Sequence, residues 1–435
     1  MTGRSTSLPE RRRWLQRAAL AAAPLALPLA GCGRSGTGRT TLRFWAMGRE
    51  GEVAHELLAD FRAEHPHVDL HIEQLPWTAA HEKLLTAFAG DATPDVAQIG
   101  NTWLPEMVAL GAVEPLDTWL RSSPTIAPDD YFGGIWRTNL IDGKLQGLPW
   151  YVDTRLLYVR SDLLAKAGFN RMPDTWAGWQ QAMLGLQSLG IAHPQLLPLN
   201  EFEPLLALAL QQDDELLRDG GRHGNFSSPG FERALGFYLQ MFERGFAPSL
   251  TNNQVSNLWQ EFGRGQFALY ISGPWNLGEF RRRLGPEQQS QWTTAPLPGP
   301  NGPGASIAGG SSLVMFRRSR ARREAWALIE YLSRPEVQQH FYRLTGNLPP
   351  RRASWSADSL GRDPQALAFA QQLERVRPAP AVPEWERIAQ EMQLFAARAA
   401  HDKSDPAAVA RALDVRVDEF LTKRRWMLNR ARPAR

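Results

Sequence analysis

Between residues 41 and 110 the apolar positions switch repeatedly between two spacings. Segment 68–72 alternates apolar with polar residues, as a half-buried strand does, whereas the apolar residues of 50–64 recur at helical spacing. The pattern predicts, in order, strand 41–45, helix 50–64, strand 68–72, helix 79–89, strand 95–99 and a helix from 104. This alternation favours a mainly parallel sheet covered by helices, with ligands bound beyond the carboxyl ends of the strands.

The rest of the chain continues as mixed α and β structure. The predicted elements are strands 145–149 and 156–159, a helix from 161, a helix starting at Asp174-Thr175, helix 231–244, strand 266–271, strand 312–316, helix 323–332 and further helices to about residue 423. Segment 296–310 is rich in Pro and Gly, which predicts a crossover. About 400 residues exceed what one core usually serves, so two lobes are expected.

An uncharged apolar run fills residues 18–30, behind three arginines at 11–13. This pattern is typical of an export signal, and the run is shorter than the about 20 residues of a transmembrane helix. Leu29-Ala30-Gly31-Cys32 resembles a bacterial lipobox, which implies cleavage before Cys32 and a lipid on its sulfur. An ordinary signal peptide with a chance cysteine is the alternative. The three arginines fit export by the general secretory pathway and also export by the twin-arginine pathway, so both remain alternatives.

The charge distribution narrows the class of function. The formal charge of +4 is carried entirely by residues 1–32, so the remaining chain is formally neutral. A nucleic-acid-binding protein concentrates positive charge on its folded body, and this chain does not. Its basic end, 423–435, is either a solvated terminus or a contact for anionic headgroups. The 16 tryptophans suit the apolar faces of sugars, and the scattered histidines predict no metal site and no cofactor.

Short segments spread over some 300 residues carry a family resemblance. They are Phe44-Trp45, 61–68, 94–96, 111–116, 147–149, Leu157-Tyr158, 173–176, 271–275, 325–338 and 346–349. Together they resemble the substrate-binding proteins of bacterial ABC importers, in the sugar-binding family that includes maltose-binding protein. The resemblance implies an α/β fold of two lobes joined by hinge crossovers, the type II fold of periplasmic binding proteins, with the ligand between the lobes.

The resemblance also implies a domain organisation and partners. We expect a lipoprotein signal peptide at 1–32, a tether at 33–40, an N-terminal lobe of 41–150 and 305–349, and a C-terminal lobe of 151–304 and 350–435. The expected partners are a carbohydrate, the permease subunits of the importer and, through Cys32, a membrane. The protein is expected to be a monomer in the periplasm or at the cell surface, and no nucleic acid is expected to bind.

Candidate ligand-binding residues follow from the resemblance and from the chemistry of sugars, which need flat aromatics and hydroxyl-bonding polar groups. The set is Trp45, Arg49, Glu50, Asn101, Thr102, Trp103, Trp150, Tyr151, Asp153, Glu203, Trp275, Asn276, Gly309, Gly310, Ser311 and Trp385. Asp153 is the leading polar candidate and Trp275 the leading aromatic one. Core packing is the alternative for Trp45 and Trp275, and an ion pair with Arg155 is the alternative for Asp153.

Two other classes of function stay open. A secreted carbohydrate-active enzyme needs two carboxylates flanking one glycosidic bond. Asp153 and Glu203 are a conceivable pair, but nothing in the residues around them favours this role. No nucleophile elbow, zinc-protease motif or phosphate-binding loop is present in the sequence. A binding protein that serves a chemoreceptor or sensor has the same expected fold. A neutral body and many tryptophans favour an uncharged sugar, a disaccharide such as maltose or trehalose, without fixing which one.

Overall fold

The structure, a computed structural model, describes residues 38–355 and 360–430. The predicted signal peptide with Cys32 and most of the predicted tether lie outside the described residues. Within them, no helix combines the length and the apolar character needed to cross a bilayer.

Fifteen strands form the sheets of the described part of the chain. They are β1 Thr40–Met47, β2 Val68–Leu75, β3 Val96–Gly100, β4 Leu140–Ile141, β5 Lys144–Leu145, β6 Leu148–Asp153, β7 Leu156–Val159, β8 Gln195–Leu196, β9 Leu217–Arg218, β10 His223–Gly224, β11 Leu269–Ser272, β12 Thr293–Ala295, β13 Ser306–Ile307, β14 Gly309–Met315 and β15 Val376–Arg377.

Eighteen α-helices alternate with these strands in the same residues. They are α1 Gly48–Leu57, α2 Ala59–Glu64, α3 Trp77–Ala89, α4 Leu104–Ala109, α5 Asp117–Arg121, α6 Gly133–Arg137, α7 Ser161–Lys166, α8 Trp176–Ser188, α9 Glu203–Leu210, α10 Pro229–Glu243, α11 Leu258–Gly263, α12 Trp275–Arg283, α13 Arg322–Leu332, α14 Pro335–Thr345, α15 Pro364–Leu373, α16 Trp385–Asp402, α17 Pro406–Phe420 and α18 Thr422–Arg430.

Two separate sheets organise the molecule. The first has the order β2-β1-β3-β14-β6, with β1 parallel to β2 and β3, and β14 antiparallel to both of its neighbours. The second has the order β12-β7-β11-β8. We call the part built on the five-stranded sheet the first lobe and the part built on the four-stranded sheet the second lobe. The predicted α/β architecture with two lobes is confirmed.

Helices cover both faces of each sheet, although the second sheet is mainly antiparallel. In the first lobe, apolar residues of α1, α2, α13 and α14 form one core with the sheet, and those of α3 and α4 form another. In the second lobe, α8, α9, α10, α16 and α17 share one core, and α11, α12 and α15 share another. The loops at the sheet ends are therefore held on a rigid base.

The chain passes between the lobes at several points. Strand β6 ends at Asp153 in the first sheet and β7 begins at Leu156 in the second, so Thr154 and Arg155 form one crossover. A second crossover lies between β12 and β14, inside the predicted segment 296–310. The lobe boundaries given above stay a prediction.

Two sequence-based elements need correction. The predicted helix 50–64 is two helices, because Leu58 leaves helical geometry with φ −100° and ψ 15°. The predicted strand 145–149 lies later, at Leu148–Asp153, because Leu145 belongs to a short hairpin with Leu140. Both differences arise because the regular spacing of apolar residues continues past the point at which the helix or strand actually ends or begins.

Candidate functional site

The ends of the first-lobe strands face the second lobe across a cleft. Its deeper part is a cavity of about 370 Å³, here called the first cavity. It is lined by Trp77, Gly100, Asn101, Thr102, Trp103, Tyr151, Asp153, Arg155, Phe202, Glu203, Leu206, Ile307, Gly309, Gly310 and Glu386. Residues of both lobes and of both crossovers thus meet around one space, and eight of the predicted site residues are among them.

Arg155 lies at the base of this cavity, on the first crossover, and only 5% of its surface is exposed. Its Nη1 donates to Asp153 Oδ1 at 2.5 Å and its Nη2 to Glu203 Oε1 at 2.6 Å. Asp153 ends a strand of the first lobe, whereas Glu203 begins a helix of the second. The predicted alternative for Asp153, an ion pair with Arg155, is therefore present, and this guanidinium joins the two lobes.

Burial dominates the electrostatics of these carboxyl groups. Burial raises the pKa of Asp153, although Arg155 opposes the shift. Burial also raises the pKa of Glu201, whose Oε1 accepts a hydrogen bond from Asn252 Nδ2 at 2.6 Å. Several acidic groups are thus held close together with limited hydration, and hydrogen-bond donors from a ligand would lower that cost.

Trp275 lies over the same guanidinium on the side facing the second lobe. The Arg155 Cζ atom is 4.6 Å from the centre of its ring, and 41% of the Trp275 surface is exposed. The ring also lines a neighbouring cavity of about 710 Å³, the second cavity, which Arg49, Glu50 and Asn347 line from the first lobe. Trp275 therefore lines the second cavity and contacts a residue of the first.

The loop after β3 supplies the first-lobe wall of the first cavity. Asn101 Nδ2 donates to the Ala308 carbonyl at 2.7 Å, which fixes this loop to the second crossover. The ring of Trp103 contacts Trp77 edge-on, with 5.6 Å between ring centres. Burial raises the pKa of Glu386, and the side chain of Thr102 opposes the shift.

Two glycines allow the second crossover to approach the cavity closely. Gly310 has φ +134°, and a Cβ atom there would lie 2.2 Å from the Tyr151 carbonyl oxygen. A Cβ on Gly309 would lie 2.6 Å from the Asp153 carbonyl oxygen. Both positions therefore require glycine, as close backbone approach does in general.

Three predicted tryptophans do not lie in the cleft. Trp45 and Trp385 are buried in the cores of the first and second lobes. Trp150 stacks on Phe341 inside the first-lobe core, with ring centres 4.5 Å apart. For Trp150 the reason is the alternation of a strand, since the next residue, Tyr151, is the one that points to the cavity.

Two predicted polar contacts are used inside the protein. Ser311 Oγ donates to the Ile99 carbonyl at 2.8 Å between neighbouring strands. Asn276 Nδ2 donates to Ser272 Oγ at 2.7 Å, and Asn276 Oδ1 accepts from Trp259 Nε1 at 3.1 Å. These side chains fix the local structure and are buried away from the cleft.

The remaining two candidates line the second cavity. Arg49 is exposed, and its Nη1 donates to Glu52 Oε2 at 2.8 Å. Glu50 is buried, its Oε1 accepts from Asn347 Nδ2 at 2.6 Å, and burial raises the pKa of its carboxyl group. They lie at the start of α1, at the end of β1 that faces the cleft.

Sequence reasoning missed several residues of the first cavity. Trp77 begins α3 directly after β2, the position at which the rule for strand ends points to ligands. Glu386 directly follows the predicted Trp385 in the first turn of α16. The prediction therefore indicates the correct helix start, but the residue that lines the cavity is the next one. Leu206 and Ile307 carried no signal in the sequence.

Comparison with known proteins supports the two-lobe fold. Residues 56–368 match the family model described as bacterial extracellular solute-binding protein. The solved sugar-binding protein MalE of Xanthomonas citri is 53% identical, with a TM-score of 0.88 over 90% of this chain and 99% of that one. The GacH receptor of Streptomyces glaucescens, solved without ligand and with acarbose, has a TM-score of 0.75 at 21% identity, over 88% and 98% of the two chains.

A relative with an assigned ligand is more distant. The diacetylchitobiose binding protein DasA of Streptomyces coelicolor is 23% identical over 362 residues, which is 82% of this chain and 83% of that protein.

Proposed function

The chain belongs to the bacterial extracellular solute-binding protein family, and from this premise we propose that it binds an uncharged sugar between its lobes and delivers it to the permease of an ABC importer. The observation that carries the proposal is the composition of the first cavity. Trp77, Trp103 and Tyr151 offer aromatic surface, while Asp153 and Glu203 offer hydroxyl acceptors in the same space. Sugars need this combination of stacking and charge-assisted hydrogen bonds.

We propose a disaccharide such as maltose or trehalose as the ligand. Trp275 lines the second cavity and lies over Arg155 of the first, so we infer that a ligand of two rings has a place for each. The names of the similar proteins from Xanthomonas citri and Streptomyces coelicolor refer to sugar or to a disaccharide derivative, which supports this class.

Titration calorimetry over a panel of sugars tests the proposal. Maltose, trehalose, glucose and maltotriose are compared at equal ionic strength, and Trp275→Ala is titrated beside the native protein. Loss of a stacked ring costs about 1–3 kcal/mol, which weakens binding about 5- to 150-fold. A panel without any binding, or a Trp275→Ala protein that binds as tightly as the native one, would contradict the assignment.

A binding role also accounts for the pair Asp153 and Glu203 better than catalysis does. Glycoside hydrolysis needs one carboxylic acid and one carboxylate that reach the bond from two sides. Here both groups are bonded to the guanidinium of Arg155. Incubation with labelled oligosaccharides and analysis of the products tests for turnover, and released monosaccharide would favour the enzyme.

We further propose that the protein is a membrane-anchored lipoprotein of the periplasm or the cell surface, with its lipid at Cys32. The support is the lipobox-like sequence ahead of the fold. Cys32→Ser should move the protein from the membrane fraction to the soluble fraction of fractionated cells. Membrane association equal to that of the native protein would count against acylation.

A further inference from the structure

The charged groups of the first cavity do not balance. Three carboxylates line it, those of Asp153, Glu203 and Glu386, and one guanidinium, that of Arg155. Arg155 is occupied by the first two through hydrogen bonds of 2.5 and 2.6 Å. A fourth acidic group, Glu201, lies behind Glu203 within electrostatic reach of Arg155. Acidic side chains therefore outnumber basic ones at this cavity.

Glu386 is the carboxylate that has no cationic partner of its own. No Lys or Arg pairs with it within residues 38–355 and 360–430, and Thr102 is the side chain that most favours its ionised form. His81 also favours the ionised form of Glu386, and its Nε2 is 2.7 Å from Glu106 Oε2. Because Glu386 belongs to the second lobe and Thr102 to the first, this carboxylate lies where a ligand touches both lobes.

The aromatic residues of the cavity favour the same ligand charge. Trp77, Trp103, Tyr151 and Phe202 line it together with the carboxylates. The face of an aromatic ring attracts cations, and a carboxylate does so more strongly when water is partly excluded. Aromatic faces beside a carboxylate that has no cationic partner suit an ammonium group, and they oppose a phosphate or a carboxylate on the ligand.

We propose that the first cavity selects saccharides by charge, with amine-bearing sugars bound more tightly than neutral ones, phosphorylated sugars rejected, and Glu386 as the residue that sets this order. The inference rests on the proposed sugar-binding function and goes beyond it, because it ranks amine-bearing sugars above the uncharged sugars proposed there. Asp153 and Glu203 hold the site together through Arg155, which leaves Glu386 free to face the ligand.

Trehalose, its 6,6′-diamino-6,6′-dideoxy derivative and trehalose 6,6′-bisphosphate test the order by titration calorimetry at neutral pH. The two rings of trehalose are equivalent, so either ring brings the substituent into the cavity. A parallel series uses maltose with the same substitutions. We expect the diamine to bind about tenfold or more tighter than the neutral sugar, and the phosphate about tenfold or more weaker. Added salt should narrow both differences.

Two matched variants test whether Glu386 causes the preference for the diamine. Glu386→Gln keeps the size of the side chain and removes its charge, so the gap between diamine and neutral sugar should shrink several-fold. Glu391→Gln makes the same change on the same helix, at a residue paired with Arg416 outside the cavity, and should leave the order unchanged.

The outcomes separate this inference from the proposed function. Binding of neutral sugar without preference for the diamine overturns the charge selection alone. The same preference in Glu386→Gln as in the native protein overturns the role of Glu386. Failure of every member of both series to bind overturns the proposed function and this inference together.

Discussion

At the scale of single residues, residues that are adjacent in the sequence can have different roles. One stabilises the core, and its neighbour lines the binding cavity. Tyr151 and Glu386 line the first cavity, while the adjacent Trp150 and Trp385 are buried in the lobe cores. A buried ring contributes to stability through packing, whereas a cavity ring contributes through contact with the ligand. Substitution of each kind should therefore affect a different measurement.

The tryptophans provide the first comparison. Trp103→Ala should weaken sugar binding by about 1–3 kcal/mol with a small change in melting temperature, because its ring lines the cavity. Trp150→Ala should lower the free energy of unfolding by about 3–5 kcal/mol, because it leaves a void beside Phe341. Calorimetric titration and denaturant unfolding measure the two effects. A Trp103→Ala protein with native affinity would remove this ring from the binding site.

Glu50 gives a prediction that depends on pH. Burial raises the pKa of its carboxyl group in the folded protein, so the ionised group is less stable folded than unfolded. Its contribution to stability is fully present below the ordinary glutamate pKa and is lost as pH rises through the raised value. Glu50→Gln should therefore increase the free energy of unfolding at pH 7, on the order of 1 kcal/mol, and leave it unchanged near pH 4.

Denaturant titrations at the two pH values measure this difference. Glu52→Gln is the control, because it makes the same change two residues further along the same helix at a half-exposed side chain. A gain at acidic pH equal to that at neutral pH would show that charge is not the cause.

At the scale of elements, strand β14 determines how closely the second crossover approaches the site. Its first residues pair with β6, and the register shifts between Ser311 and Ser312. Gly310 has a positive φ of +134° where the strand enters the sheet. The position of Tyr151 and Asp153 against the cavity thus depends on a backbone conformation that side chains disfavour.

Gly310→Ala should therefore disturb both stability and binding. The new methyl group would meet the Tyr151 carbonyl, so a lower melting temperature and weaker sugar binding are expected together. Gly302→Ala is the control on the same crossover, because no atom lies within 4 Å of its added methyl group. Native affinity and melting temperature in Gly310→Ala would mean that the crossover relaxes without cost.

The sequence predicted most elements of the first lobe, because their apolar spacing is regular and their polar boundaries are clear. The start of α8 is a good example, since Thr175 Oγ accepts from the Gly178 amide at 3.1 Å as its capping position suggests. The sequence does not predict the helix break at Leu58, because the helical spacing of apolar residues continues through this position. In the cleft, the loops that follow strands could be predicted as ligand-binding positions. The sequence does not show whether Trp150 faces the core or the cavity, because its packing partner Phe341 is distant in the sequence.

At the scale of the whole molecule, closure of the lobes is the expected response to ligand. Trp103 stands on the first lobe and Trp275 on the second, so a sugar between them contacts both only when the lobes are close. Ligand should therefore shift the population to a closed form. Small-angle scattering should give a smaller radius of gyration with sugar, and tryptophan fluorescence should change. A tightly bound sugar that leaves the scattering curve unaltered would contradict closure.

Strand β1 begins the folded lobes at Thr40 and ends beside the residues of the second cavity. Its 8 residues span about 26 Å, at roughly 3.3 Å per residue. A protein coupled to a chip or an electrode through the segment ahead of Thr40 would therefore hold its cleft away from the support. With an environment-sensitive dye on either lobe, such a surface would serve as a reagentless sugar sensor whose attachment point does not block the analyte.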